Sequence, residues 1–335
     1  MARRPKAGGW ARVLAGAMEA LASTSWQAGT RAIDRAVRPA LEKRRPPAGA
    51  GQWIPGVAMG ATGLRHFRLY RPPDVKFAER LPLMVMLHGC GQDAKAFSTS
   101  TGMNRIAARE RFLVLYPEQD RASNSQGCWN WFDTASGRAY GEAALIMKAI
   151  DQVCLMYAVD RARIAVAGLS AGASMAALLA ARHPERFAAV VMHSGIPPGT
   201  ASSALSALGA MHGRRATRPM TVIPSGMVTA WPPLMVIHGI RDTVVAASNG
   251  RAAAQAWADA TGASTTARRR VQRGQRYGMQ VTDFKRRGRT VSTLVEVDRL
   301  GHAWSGGAAR HAHSDSRGPD ASRMAWAFAC RQFRA

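Results

Sequence analysis

Lysine is nearly absent from this 335-residue chain, with six against 40 arginines, and acidic residues number only 21. Cysteine is scarcer still: Cys90, Cys128, Cys154 and Cys330, with no Cys-x-x-Cys pair. Four cysteines exclude a disulfide-dense scaffold, and their spacing excludes a zinc-finger or ribbon site. One or two disulfides stay open, and with them the redox compartment. No run of 18 apolar residues occurs, which excludes an ordinary membrane-spanning helix. What is present is globular in character, with 47% hydrophobic and 20% charged residues in a chain long enough for one large α/β domain plus extras.

The formal charge is +25. Arginine-for-lysine bias in an alanine-rich chain reflects genomic base composition as readily as selection for charge. Its functional counterpart is attraction to an anionic surface such as a membrane or a coated granule. Nucleic acid is not expected, because no helix-turn-helix, zinc-finger or RNA-binding signature is present. Two segments concentrate the charge. Residues 1–50 hold ten basic and three acidic residues, and residues 268–289 hold nine basic and one acidic.

Within residues 1–50, Trp10, Val13, Leu14, Ala17, Met18 and Leu21 recur at helical spacing, as do Ile33, Val37 and Leu41, among many arginines. Glu19 and other polar residues interrupt any secretory h-region, so the segment is expected to be a basic amphipathic arm and not a Sec signal. It ends in Arg44-Arg45-Pro46-Pro47 and a Gly/Ala linker. Residues 51–335 form the expected catalytic domain. There, strand patterns at 65–70, 83–88, 112–116, 164–168, 187–193, 234–238 and 293–298 alternate with helical patterns at 94–110, 142–158, 171–183, 248–261 and 320–333. Near-continuous apolar strands are covered on both faces, so the alternation predicts an α/β, doubly wound, mostly parallel sheet. Residues 196–231, rich in Pro, Gly, Ser and Ala, are expected to be a lid-like insertion with a short helix near 203–212. Residues 278–297 are expected to be a hairpin turning at Arg286–Arg289.

The chemistry concentrates in four places. Gly168-Leu169-Ser170-Ala171-Gly172 follows the apolar run 164–167 and opens a helical stretch, the setting of a nucleophile elbow. Asp242 follows the late strand 234–238, and His302 stands between glycines after the last strand. Nucleophile, acid and base therefore occur in the order Ser170, Asp242, His302. His88-Gly89-Cys90-Gly91-Gln92 ends an early strand. It is placed to supply one oxyanion donor from the Cys90 amide, with the Ala171 amide as the other. His88 is expected to hold that loop.

These motifs, with Cys128-Trp129-Asn130-Trp131-Phe132 and Gly301-His302-Ala303-Trp304, together resemble the poly(3-hydroxybutyrate) depolymerase family of esterases. That family comprises the short-chain polyhydroxyalkanoate depolymerases, relatives of feruloyl and acetylxylan esterases. The resemblance covers residues 50–335. It implies an α/β-hydrolase fold and ester hydrolysis through an acyl-enzyme, with Ser170 as nucleophile, His302 as base and Asp242 as its orienter, and with no metal or cofactor. It further implies that Trp304, Trp129 and Trp131 line the ester cleft. Cys90 and Cys128, both in motif loops, would brace the oxyanion loop if they formed a disulfide. The substrate expectation is a polyhydroxyalkanoate, its oligomers or another short-chain ester, with feruloyl or acetylated polysaccharide as the alternative. Only 33 residues follow His302, so no separate polymer-gripping domain is expected. The family suggests an extracellular or periplasmic protein, whereas the N-terminus by itself leaves an intracellular one open. A surface-associated binding protein working through the basic arm is the reading from another class.

Overall fold

Leu81–Leu87 contains no charged residue, and all seven of its side chains are buried, which requires cover on both faces. In the computed structural model of the protein, residues 47, 49–76, 78–217 and 231–334 are described. The chain divides into residues 1–46 and 47–335. Residues 1–46 and 48 of the expected basic arm and the stretch 218–230 of the expected lid lie outside the described residues.

The strands are β1 (Gln52–Gly60), β2 (Gly63–Arg71), β3 (Leu81–Leu87), β4 (Leu113–Pro117), β5 (Val159–Leu169), β6 (Ala189–His193), β7 (Leu234–Gly239), β8 (Ser264–Thr265), β9 (Arg269–Val271), β10 (Met279–Arg286), β11 (Arg289–Val297), β12 (Trp304–Ser305) and β13 (Ser314–Asp315). The helices are α1 (Ala94–Thr101), α2 (Met103–Glu110), α3 (Arg138–Met156), α4 (Ala171–Arg182), α5 (Ala204–Met211), α6 (Ala247–Thr261) and α7 (Ala321–Gln332). One 11-stranded sheet runs β1-β2-β4-β3-β5-β6-β7-β11-β10-β8, with β9 also on β10. From β4 to β11 all neighbours are parallel, and antiparallel hairpins close both ends.

Side chains alternate across the sheet with period two and split the interior into two cores. Leu83, Val85, Ile164, Val166, Val190, Met192, Leu234 and Val236 face one core, filled by α3, α4 and α6. Met84, Met86, Ala165, Ala167, Ala189, Val191, Met235 and Ile237 face the other, filled by α1, α2 and α7. Asp93 and Asp320 cap α1 and α7, accepting from Ala96 N (2.8 Å) and Arg323 N (2.9 Å). No helix among the described residues is long and apolar enough to cross a membrane.

Two local expectations are corrected. The helix expected over 94–110 is two helices, because Gly102 adopts a left-handed φ of 63° that ends α1 and begins α2. β1, which was not expected, is a full edge strand. Pro55 is tolerated there because an edge strand has free backbone positions. Gly56 is required because a Cβ would collide with the Phe67 ring across the pair. The hairpin at 278–297 turns through Arg287-Gly288, as expected.

Candidate active site

β5 runs into α4 through a turn with no room for side chains. A Cβ on Gly168 would meet the Gly172 backbone, and a Cβ on Gly172 would meet the backbone oxygens of Leu87 and His88. Between them Ser170 is held at φ 56°, ψ −122°, a strained conformation for a non-glycine residue. Its N–H donates to His193 O at 2.8 Å, tying the elbow to the end of β6. Its side chain stands partly exposed at the N-terminus of α4. Ser170 Oγ makes no hydrogen bond to a described residue, His302 included.

The loops after β7 and β11 are bound to each other. Ile240 N donates to Val297 O (3.0 Å) and Arg241 N to Leu300 O (3.1 Å). Gly239 is needed because a Cβ would overlap Leu300 O. Through this contact His302 Nδ1 lies 2.8 Å from Asp242 Oδ2. The other carboxylate oxygen, Oδ1, accepts from Val245 N (2.8 Å) and Val244 N (3.0 Å). Burial alone pushes the Asp242 carboxyl up. Hydrogen bonds from His238 and His302, the His302 charge and the Val245 N–H outweigh burial and hold it well below the usual carboxylate range. An anionic Asp242 accepts from a proton on His302 Nδ1 and so directs Nε2 away from the carboxylate.

The loop expected to supply an oxyanion donor follows β3. Gly91 N donates to Gln126 O (2.9 Å) and Gly89 N to Gln92 Oε1 (3.0 Å). Among the described residues, the Cys90 and Ala171 amides have no acceptor, so both remain available to a ligand oxygen. Cys90 and Cys128 form a disulfide. It spans 38 residues and ties the donor loop to the tryptophan loop. In the loop-entropy account it contributes about 4 kcal/mol. Cys128→Ser is expected to lower kcat about tenfold by loosening the Cys90 amide. The check is turnover of oxidised and fully reduced protein beside the variant, and equal rates in all three would refute it.

His88 holds this loop as expected. Its Nδ1 pairs with Gly89 O (2.8 Å), its Nε2 accepts from Gln119 N (3.0 Å), and its carbonyl accepts from Trp129 Nε1 (3.0 Å). Burial holds the His88 imidazole down at about 4, and burial with neighbouring histidines holds His193 at about 3. Both folded values lie below that of an unfolded histidine, so the unfolded chain binds these protons first. The stability they contribute is complete above about pH 6.5 and is lost as pH falls towards the folded values, at about 1.4 kcal/mol per pH unit for each group. The melting temperature is therefore expected to drop steeply between pH 6.5 and 4.5, and a flat profile would contradict it.

Trp304 and Trp129 are corrections. Neither has exposed surface, so neither lines an open cleft. Trp304 stacks on His193, meets Phe97 edge-on and donates from Nε1 to Ser322 Oγ (3.0 Å), which fastens the histidine loop to the core. Trp129 packs under the oxyanion loop beside His88 and below the Arg65 guanidinium. Trp131 keeps a small exposed edge, at 8%.

Residues the sequence reading missed lie beneath that loop. Buried Arg65 donates to Glu118 O (2.9 Å) and to Gln119 Oε1. Gln119 Nε2 donates to Glu142 Oε1 (2.7 Å) and Cys128 O (3.0 Å), and Glu142 also accepts from Asn130 N (2.9 Å) and Asn130 Nδ2 (2.6 Å). The available signal was Arg65 alternating with inward Phe67 and Leu69, and Glu142 on a helix face shared with Ala139 and Ala143.

Residues 65–275 match the family Esterase PHB depolymerase. Poly(3-hydroxyalkanoate) depolymerase C of Paucimonas lemoignei is 35% identical over 175 residues, 50% of this chain and 42% of that protein. Feruloyl esterase B of Neurospora crassa is 27% identical over 59% of this chain and 71% of that protein. Acetylxylan esterase A of Talaromyces purpureogenus is 26% identical over 65% of this chain and 59% of that protein. The chain thus spans less than half of the Paucimonas lemoignei protein. In three dimensions, an acetyl xylan esterase from Aspergillus awamori aligns with a TM-score of 0.60 at 20% identity, over 76% of this chain and 94% of that one. Elbow, sheet order and sequence match agree: the chain belongs to the PHB depolymerase family of esterases, built on an α/β-hydrolase fold.

Proposed function

We propose that the chain is a serine carboxylic-ester hydrolase acting on short-chain polyhydroxyalkanoate or its oligomers. The observation that carries the catalytic reading is the 2.8 Å contact of His302 Nδ1 with Asp242 Oδ2, on loops at the same sheet edge as the strained Ser170 turn. His302 Nε2 takes the Ser170 proton as Oγ attacks the ester carbonyl, a contact that forms when substrate arrives. The Cys90 and Ala171 amides receive the developing oxyanion. His302 then protonates the leaving alcohol, and water attacks the acyl-enzyme by the same path in reverse. The steps use side chains, amides and water only.

The depolymerase relative, at 35% identity, favours a hydroxyalkanoate ester. The acetylxylan and feruloyl esterase relatives favour a second reading, esters on plant polysaccharide. Of the three tryptophans, Trp131 is the one that keeps some exposed surface with which to line the cleft. The Cys90–Cys128 bridge supports an extracellular or periplasmic compartment, where disulfides persist. The basic segment 1–50 would add attraction to an anionic granule or membrane surface.

An alkyl fluorophosphonate should add once per chain, on the peptide carrying Ser170, and abolish p-nitrophenyl butyrate hydrolysis. Activity surviving complete labelling would sink the reading. Parallel turnover of 3-hydroxybutyrate oligomers, acetylated xylan and methyl ferulate separates the two substrate classes.

A further inference from the structure

Two fully buried histidines lie at the C-terminal ends of adjacent strands: His193 closes β6 and His238 is the penultimate residue of β7. A charged or half-satisfied imidazole in such a place costs stability, so its hydrogen bonds indicate what it holds. His193 reaches two site loops at once. Its carbonyl accepts the Ser170 N–H at 2.8 Å, and its Nε2 accepts the Ser305 N–H at 3.0 Å, three residues beyond His302. Because Nε2 accepts, the ring proton sits on Nδ1, facing Ser194 Oγ at 3.3 Å.

His238 has the opposite tautomer. Its Nε2 lies 2.9 Å from Val245 O and 3.5 Å from Asp242 Oδ2, two acceptors that require a proton on Nε2. Val245 in turn donates its N–H to Asp242 Oδ1 (2.8 Å). The ring therefore grips the acid loop at its far end and also faces the carboxylate oxygen that receives His302. Its Nδ1 is buried with no partner among the described residues. A Cβ on Gly250 of α6 would come within 2.7 Å of that nitrogen, so the helix backbone packs directly against the ring. An apolar residue at 238 would spare the unsatisfied nitrogen; the cost is offset only if the Nε2 donor is needed.

We propose that His193 and His238 are paired positioning residues of the hydrolytic site, His193 locking the Ser170 turn to the His302 loop and His238 locking the Asp242 loop to its strand. This rests on Ser170, His302 and Asp242 being the reacting groups. The sheet then sets the site directly, since adjacent strand ends hold all three loops through hydrogen bonds of defined direction. Misplacement of catalytic groups by about 1 Å costs on the order of 10² in rate. Losing either clamp is therefore expected to act on kcat and to leave KM nearly unchanged.

The test compares glutamine and methionine at each position. A glutamine carboxamide can donate like His238 Nε2 or accept like His193 Nε2, whereas methionine fills similar volume without doing either. Expected are His193→Gln and His238→Gln within about threefold of wild-type kcat, and His193→Met and His238→Met at least tenfold lower, all with KM within twofold. A purely space-filling role predicts that methionine does as well as glutamine, and that result would overturn the proposal. If His238→Met does not fold, His238→Asn replaces it, because its shorter amide cannot reach Val245 O. Ser170→Ala is run in parallel. An inactive Ser170→Ala with wild-type kcat in the methionine variants removes the clamps alone, whereas an active Ser170→Ala removes the hydrolase reading beneath them.

Discussion

Ser170→Ala is expected to lower kcat/KM for p-nitrophenyl butyrate by about 10⁵–10⁶ while leaving the circular dichroism spectrum and melting temperature close to wild type. The size follows from losing the nucleophile outright: water must then attack without an acyl-enzyme, assisted only by the Cys90 and Ala171 amides and by binding. The preserved fold follows from the contacts. The Ser170 backbone N–H bonds His193 O, but its hydroxyl makes no hydrogen bond to a described residue. The turn is set by Gly168 and Gly172, whose missing Cβ atoms admit the crossing backbone. A variant retaining more than about 1% of wild-type rate would show that another group performs the chemistry.

The second large effect is expected at Asp242→Asn, about 10⁴ in kcat. The asparagine carbonyl can still accept from Val244 N and Val245 N, so the loop should keep its shape. The other end becomes an NH₂ group facing His302 Nδ1, which would then have to accept. The His302 proton moves to Nε2, and the base is lost. The same NH₂ faces the His238 Nε2 proton at the position of Oδ2, now 3.5 Å away as an acceptor. Kinetics at pH 8 against wild type, with a melting curve to confirm folding, decide it. A loss below tenfold would mean that Asp242 does not orient the base.

Much of the scaffold was legible because the parallel strands are apolar on both sides. Runs such as Leu81–Leu87 and Ala189–His193 have little choice but a covered interior, and their spacing gives the doubly wound sheet. The elbow was legible for a different reason. A strand, two glycines around a serine and a helix leave the backbone one tight turn, and the left-handed φ of Ser170 confirms its strain. β1 was not legible, because Pro55 and Gly56 weaken any strand pattern, and only pairing with β2 and the Phe67 ring makes sense of them.

The tryptophans show where local reading fails. Trp304 stands two residues from His302 and Trp129 lies within a motif loop, and the family resemblance implied a place for both at the substrate. In the fold, the side chains two residues apart diverge: His302 keeps an exposed edge and Trp304 goes into the core against Phe97 and His193. Arg65, Gln119 and Glu142 lie far apart along the chain and become one network only when β2, the segment after β4 and α3 meet.

The sequence by itself determined the fold class, the order of the three proposed reacting groups and the turn that presents Ser170, because periodicity and steric exclusion act over a few neighbouring residues. Tertiary structure alone decided which partner each histidine ring meets. His88, His193, His238 and His302 share one side-chain chemistry, and they differ in burial and in the partner each ring nitrogen meets. Those partners come from strands and loops distant in sequence, brought together by packing on the sheet, and no local pattern encodes them.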